Sequence, residues 1–92
     1  MIKSFKSKET ETLFRLERSR RWKSIERPAL RKLVQLDLAV NINDMRAPPG
    51  NQLEALVGDR KGQWSIRIND QFRICFRWTE DGPEEVEIVD YH

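Results

Sequence analysis

Two arginines and a terminal Tyr-His pair are the side chains best suited to chemistry in this chain. Arg67 and Arg73 lie in the run Gly-Gln-Trp-Ser-Ile-Arg-Ile-Asn-Asp-Gln-Phe-Arg-Ile-Cys-Phe at 62–76, and the chain closes on Val89-Asp90-Tyr91-His92. A guanidinium holds the oxygens of a phosphate through forked, charge-assisted hydrogen bonds. A histidine takes up and releases a proton near neutral pH. Together such groups can bind an anion, for example a nucleic-acid phosphate, and move protons beside it. His92 alone would carry little weight, because chain ends commonly fray. Tyr91 and the arginines give it a context, and Asp90 either orients it or caps the end of its strand.

Strand periodicity is what would bring these groups together. Three runs alternate apolar and polar residues: about Gln63 to Ile68, about Phe72 to Trp78, and about Glu85 to Asp90. Asn69-Asp70-Gln71 and Glu80-Asp81-Gly82-Pro83 separate them as turns, so an antiparallel meander is expected. Successive side chains of a strand point to opposite faces, and a one-residue slip would expose the core. Trp64, Ile66, Ile68, Phe72, Ile74, Phe76, Trp78, Val86 and Ile88 must therefore share the core face. A three-residue loop satisfies this by pairing Ile68 with Phe72, which pairs Arg67 with Arg73 on the other face. Val89 and Tyr91 follow to that face. Like charges directly opposite each other destabilise a pair by about 0.2–1 kcal/mol. Either an anion sits between the guanidiniums, or they splay apart with Glu87 or Asp59 as partners. Arg77 fits a surface position beside Glu85 or Glu87.

The rest of the chain would support that sheet. Residues 2–6 alternate as a short strand. Ser7 can cap a helix from Lys8 to about Leu16, with Leu13, Phe14 and Leu16 apolar. Arg18-Ser19-Arg20-Arg21 reads as a connector, with a basic arm near RNA or a partner as its functional alternative. A second helix, capped at Ser24 with Pro28 in its first turn, carries Ile25, Ala29, Leu33, Leu36 and Val40 at helical spacing. Leu30, Val34 and Leu38 widen its apolar face, part of which a partner protein could cover. Ala47-Pro48-Pro49-Gly50-Asn51 stops it, and Leu53-Glu54-Ala55-Leu56 leads to the sheet.

Composition narrows the possibilities. At 92 residues the expectation is a single domain, residues 1–92. No apolar run is long enough for a membrane span, and the opening residues lack a signal-peptide core, so a cytoplasmic protein without membrane contact is expected. One cysteine allows no internal disulfide, and with one histidine it argues against a structural zinc site. Cys75 reads as a small half-buried side chain. Glu84, Glu85 and Glu87 read as a solvated strand edge, and no metal or cofactor is expected. The net charge of +2 is too mild to establish nucleic-acid binding, although Arg15, Arg18, Arg20, Arg21 and Lys23 form a basic segment.

The chain resembles the HigB toxins of bacterial type II toxin–antitoxin systems, within the RelE/ParE superfamily. The likeness runs through Met-Ile-Lys-Ser-Phe at the start, Arg-Arg-Trp at 20–22, Arg-Lys-Leu at 31–33, Pro-Pro-Gly-Asn at 48–51, Leu-Glu-Ala-Leu at 53–56 and Gly-Asp-Arg at 58–60. It is most specific at 62–76 and in Val-Glu-Ile-Val-Asp-Tyr-His at 86–92. The resemblance implies an α+β fold: an N-terminal strand and two helices packed on a mainly antiparallel four-stranded sheet. It implies a ribosome-dependent endoribonuclease that cuts mRNA without a metal. It also implies neutralisation by a HigA-type helix-turn-helix antitoxin, with operator DNA reached only through the toxin–antitoxin complex. Carried over by position, the phosphate-binding arginines fall on Arg67 and Arg73 and the catalytic end group on Asp90, Tyr91 and His92. Glu54 stands where some relatives have a His, and Val57 where they have a Lys; Arg60 and Lys61 are the nearby cations that could compensate. Two rivals remain: a ParE-like poison of DNA gyrase, which does not cut RNA, and a regulatory partner active only within an antitoxin complex on DNA.

Overall fold

The computed structural model describes residues 1–90. The first helix, α1 (Lys8–Leu16), begins where the Ser7 hydroxyl accepts the Thr10 N–H at 3.2 Å, and ends where Glu17 turns left-handed and donates its N–H to the Leu13 carbonyl. Glu9 and Glu11 in the first turn and Arg15 in the last complement the helix dipole. Of its apolar residues Leu13 is buried, whereas Leu16 is largely exposed. The buried partner from this helix is Thr10 instead, whose hydroxyl accepts the Ile88 N–H at 3.0 Å.

The second helix, α2 (Glu26–Leu38), starts later than a Ser24 cap would place it. A 3-10 turn over Lys23–Ile25 precedes it, so Ile25 occupies the cap position with no side-chain acceptor. Pro28 does sit in the first turn. Ala29, Leu33 and Leu36 are buried. The helix stops before Val40 because the Asp44 carboxylate accepts the N–H groups of Val40 and Asn41 at 2.9 and 3.1 Å and redirects the chain. Those two bonds also hold the Asp44 carboxyl below its ordinary pKa. Val40 is left exposed.

Four antiparallel strands follow in the order β1 (Glu54–Ala55), β2 (Trp64–Arg67), β3 (Phe72–Thr79) and β4 (Gly82–Asp90). The β2–β3 register pairs Ile66 with Ile74 and Arg67 with Arg73, as parity requires. The second hairpin is tighter than expected: Thr79 pairs with Gly82, so β4 begins three residues early. Gly82 has φ +127°, and a Cβ there would strike the Met1 carbonyl, so glycine is needed. A bulge between Cys75 and Arg77, with Glu85 at φ +53°, lets the hairpin and the strand ends both keep their apolar faces inward.

The expected N-terminal strand is a single parallel bridge, Phe5 to Val86, flanked by backbone bonds from Lys3 to Pro83 and between Ser4, Lys6 and Val86. Together with the Thr10 hydroxyl it covers the outer edge of β4, which removes an exposed pairing edge. Both helices contact β4, and one cluster of Leu13, Leu33, Leu36, Met45, Ile66, Ile74, Phe76, Val86 and Ile88 fills the layer beneath. Trp22 packs edge-on against Phe72, with ring centroids 5.4 Å apart. That contact, with the bonds from Ser19 N–H to Glu26 and from Trp22 N–H to the Ser19 hydroxyl, ties down the basic connector.

Candidate active site

The opposite face of the sheet has a different chemistry. Ser65, Arg67, Arg73, Cys75 and Glu87 share it through the β2–β3–β4 register, and Glu54 joins them across from Ser65. Its centre is not a solvated surface. Ser65 and Cys75 are fully buried, and Arg73 is only 9% exposed. Arg73 was open to a solvated reading; it is instead fixed from two sides. Its Nε donates to the Ser65 hydroxyl at 2.8 Å and its Nη2 to the Gln52 carbonyl at 2.6 Å. Nη2 also lies 3.7 Å from the Glu54 carboxylate. A guanidinium held this way loses little further freedom when it takes a ligand.

Gln52 is held in turn by a polar knot that a sequence reading passes over as a loop. Asn51 is fully buried, and its amide donates to the Met45 and Ala47 carbonyls at 3.1 Å each and to Gln35 of α2 at 3.2 Å. Its carbonyl accepts from Lys32 of the same helix. Partial burial, and secondarily the Arg31 charge, push the Lys32 ammonium below its ordinary pKa. The residue after Asn51, Gln52, is left-handed with φ +44°, and its carbonyl meets Arg73. Helix α2 thus sets the position of Arg73 from the far side of the sheet.

Arg67 and Arg73 are register partners on one face. Their carboxylate partners differ from the expected Glu87 and Asp59. Arg67 pairs with Asp70 of the adjoining turn, and Arg73 with Glu54. Glu87 is not a solvated edge residue: its carboxylate, 16% exposed, meets Arg60 at 3.3 Å and Lys6 at 3.6 Å. Arg60 also donates to Gln63 at 3.1 Å. It therefore reaches the same face, next to Cys75, whose thiol burial pushes above its ordinary pKa. Lys61 is exposed on the turn that follows. Arg77 meets Glu85 at 2.7 Å, one of its two expected partners.

Asp90 stands apart from the arginine pair. It is opposite Phe72 in the register, so its parity is that of the core face, and its carboxylate accepts from Gln71 at 3.1 Å. Tyr91 and His92, expected to complete the site, lie outside the described residues. Among the described residues no group of three or more His, Cys, Asp or Glu side chains is placed to hold a metal.

What the face can do follows from these groups. Guanidiniums on adjacent strands are anion-binding groups, and Glu54 is an exposed carboxylate beside Arg73. Sequence reasoning treated Glu54 as a departure and missed its place beside Arg73; the signal available was its position two residues before the buried Leu56. A second basic surface lies between α1 and the connector, a groove of about 810 Å³ with Lys8, Arg18, Arg20, Arg21 and Lys23 around it.

An antiparallel sheet under two helices is a fold this chain shares with solved bacterial toxins. A YoeB–YefM complex from Staphylococcus aureus matches over 100% of this chain and 98% of that chain, with a TM-score of 0.62 at 15% identity. A YoeB/ParE toxin from Agrobacterium tumefaciens matches over 98% of both chains, with a TM-score of 0.51 at 22% identity. At those identities the likeness concerns the fold. The family comes from sequence: the family model for the RelE-like toxin of type II toxin–antitoxin system HigB matches residues 3–92, and this chain belongs to that family. Toxin HigB-1 of Vibrio cholerae is 42% identical over 82 residues, covering 87% of this chain and 86% of that protein. An uncharacterized protein of Haemophilus influenzae is 42% identical over 51 residues, 55% of this chain and 50% of that protein. Among the described residues no helix is long and apolar enough to cross a membrane.

Proposed function

We propose that this toxin is a ribosome-dependent endoribonuclease that cuts mRNA and stops translation. In the reaction the ribose 2′-hydroxyl attacks its own adjacent phosphate, and the 5′ oxygen leaves with a proton. The observation that carries the reading is the Arg67–Arg73 register pair on the sheet face away from the core. Arg73, preset by Ser65 and Gln52, would hold the phosphate and stabilise the charge that builds on it. Arg67 would exchange Asp70 for a phosphate oxygen at small cost, since an exposed ion pair contributes about 0–1 kcal/mol. Glu54, 3.7 Å from Arg73, would take the 2′ proton, and the terminal Tyr91-His92 pair, His92 foremost, would protonate the leaving oxygen. Positioned acids and bases typically contribute roughly 10²–10⁴-fold each. Arg60, Lys61 and the basic groove beside α1 would hold flanking RNA, and the ribosome would fix the message for in-line attack.

A HigA-type helix-turn-helix antitoxin would neutralise the toxin and take the complex to operator DNA in the cytoplasm. The test is induction of the chain in a cell lacking antitoxin, followed by mapping of RNA ends. Discrete cuts within codons, absent with Arg73→Ala, are expected. Intact messages with damaged DNA would replace this reading with gyrase poisoning, and growth unaffected by the chain alone would leave only a regulatory role.

A further inference from the structure

The outer face of α2 is unpartnered. Arg27, Leu30, Arg31, Val34, Gln35 and Leu38 line a shallow groove of about 680 Å³. Leu38 is 73% and Val34 42% exposed, although the same helix buries Ala29, Leu33 and Leu36 on its other side. Leu30, Val34 and Leu38 fall four residues apart and form a stripe about 12 Å long, two turns of helix. An apolar stripe presented at this spacing is the form in which one helix receives another. The charge around it has one sign. Among the described residues Arg27 and Arg31 make no ion pair. The helix's own carboxylates are committed elsewhere: Glu26 accepts the Ser19 N–H and Asp37 the Ile2 N–H. No carboxylate of α2 pairs with either rim arginine, and an acidic partner would supply that pairing.

We infer that this groove is the docking surface for an acidic amphipathic helix of the antitoxin, with apolar residues seated on Leu30, Val34 and Leu38 and carboxylates on Arg27 and Arg31. The inference rests on the antitoxin reading given above, and not on the nuclease reading. It also places the partner on the helical side of the molecule, away from the arginine face.

The test measures binding of the cognate antitoxin to purified toxin by calorimetry, in the absence of RNA. Val34→Asp/Leu38→Asp should weaken binding on the order of 100-fold or more, as expected when two interface anchors are lost. Arg27→Glu/Arg31→Glu should weaken it and flatten its salt dependence, with circular dichroism and melting temperature unchanged for both variants. Binding within twofold of wild type in either variant would overturn the proposal while leaving the antitoxin reading intact. Absence of binding by the wild-type chain would overturn both. Concentration-dependent dimerisation of the toxin alone, removed by Leu38→Asp, would make a second copy the occupant and overturn the proposal as well.

Discussion

At their centres the two faces of the sheet are equally buried, by opposite means. On the helix side Ile66, Ile74, Phe76 and Val86 are fully buried within an apolar cluster. On the other side Ser65 and Cys75 are just as buried, yet their cover includes a charged guanidinium bonded to a hydroxyl and a carbonyl. Apolar packing has no preferred direction and tolerates exchange of similar shapes. A charge-assisted network has direction, and loses its geometry when one member changes. One face therefore mainly supplies stability, and the other holds a cationic group still.

This contrast fails or sharpens first at Phe76. Phe76→Ala removes a fully buried ring and should cost about 3–5 kcal/mol, read as a lower urea midpoint. Arg73→Ala should cost less, about 1–3 kcal/mol for the bonding partners left unmatched, and should abolish growth arrest in protein that still folds. Arg73→Lys should restore the charge but not the fork to Ser65 and Gln52, and so recover activity only in part. If Arg73→Ala unfolded the protein as severely as Phe76→Ala, the guanidinium would be a structural element first, and the distinction between the faces would be lost.

The arginine pair was legible because two constraints meet there. The period of two fixes the faces, and a three-residue loop leaves one register that buries Ile66, Ile68, Phe72 and Ile74 together. What surrounds the pair was not legible, for reasons of range. β1 is two residues long and carries no periodicity, so Glu54 had no visible address. The grip on Arg73 comes from residues 8 and 21 positions away, one of them a backbone carbonyl, which composition cannot reveal. Asn51 looked like part of a proline-glycine stop although it is fully buried between α2 and that loop. Glu87 was misread because its partners, Lys6 and Arg60, converge only through the parallel bridge at Phe5 and the turn after β1. Asp90 could have been placed better, since the parity that pairs Arg73 with Val89 also pairs Phe72 with Asp90.

A directed bond also exists on the apolar side, which limits the contrast. The Thr10 hydroxyl accepts the Ile88 N–H in a fully buried position. Thr10→Val keeps the shape and removes the acceptor, leaving a buried donor unpaired at a cost of about 1–3 kcal/mol. Ser7→Ala, which removes the cap of the same helix, should cost about 1 kcal/mol. Denaturant melts of both should show the larger loss for Thr10→Val. The reverse order would mean that water reaches the Ile88 N–H, and that the outer edge of β4 is less closed than its bonds indicate.

The smallest effect concerns Cys75 and tests whether the arginine face is sealed at all. Burial pushes its thiol above the ordinary value, an effect opposed by the charges of Arg60 and Arg73 and reinforced by those of Glu87 and Glu54. The reactive species is the thiolate, so iodoacetamide should label the folded protein at neutral pH far more slowly than the urea-unfolded chain. The linkage has a definite sign. The unfolded thiol ionises around its ordinary value, 9.0, while the folded one stays protonated to higher pH. Stability supplied by the protonated form is therefore complete below that value and declines as pH rises toward the folded pKa. Cys75→Ala should remove both this alkaline decline and the labelling, while leaving the antitoxin interaction unchanged. Labelling of the native protein at the rate of an exposed thiol would show that solvent reaches the centre of the arginine face, and that Arg73 is held by its hydrogen bonds without the help of a dry surrounding.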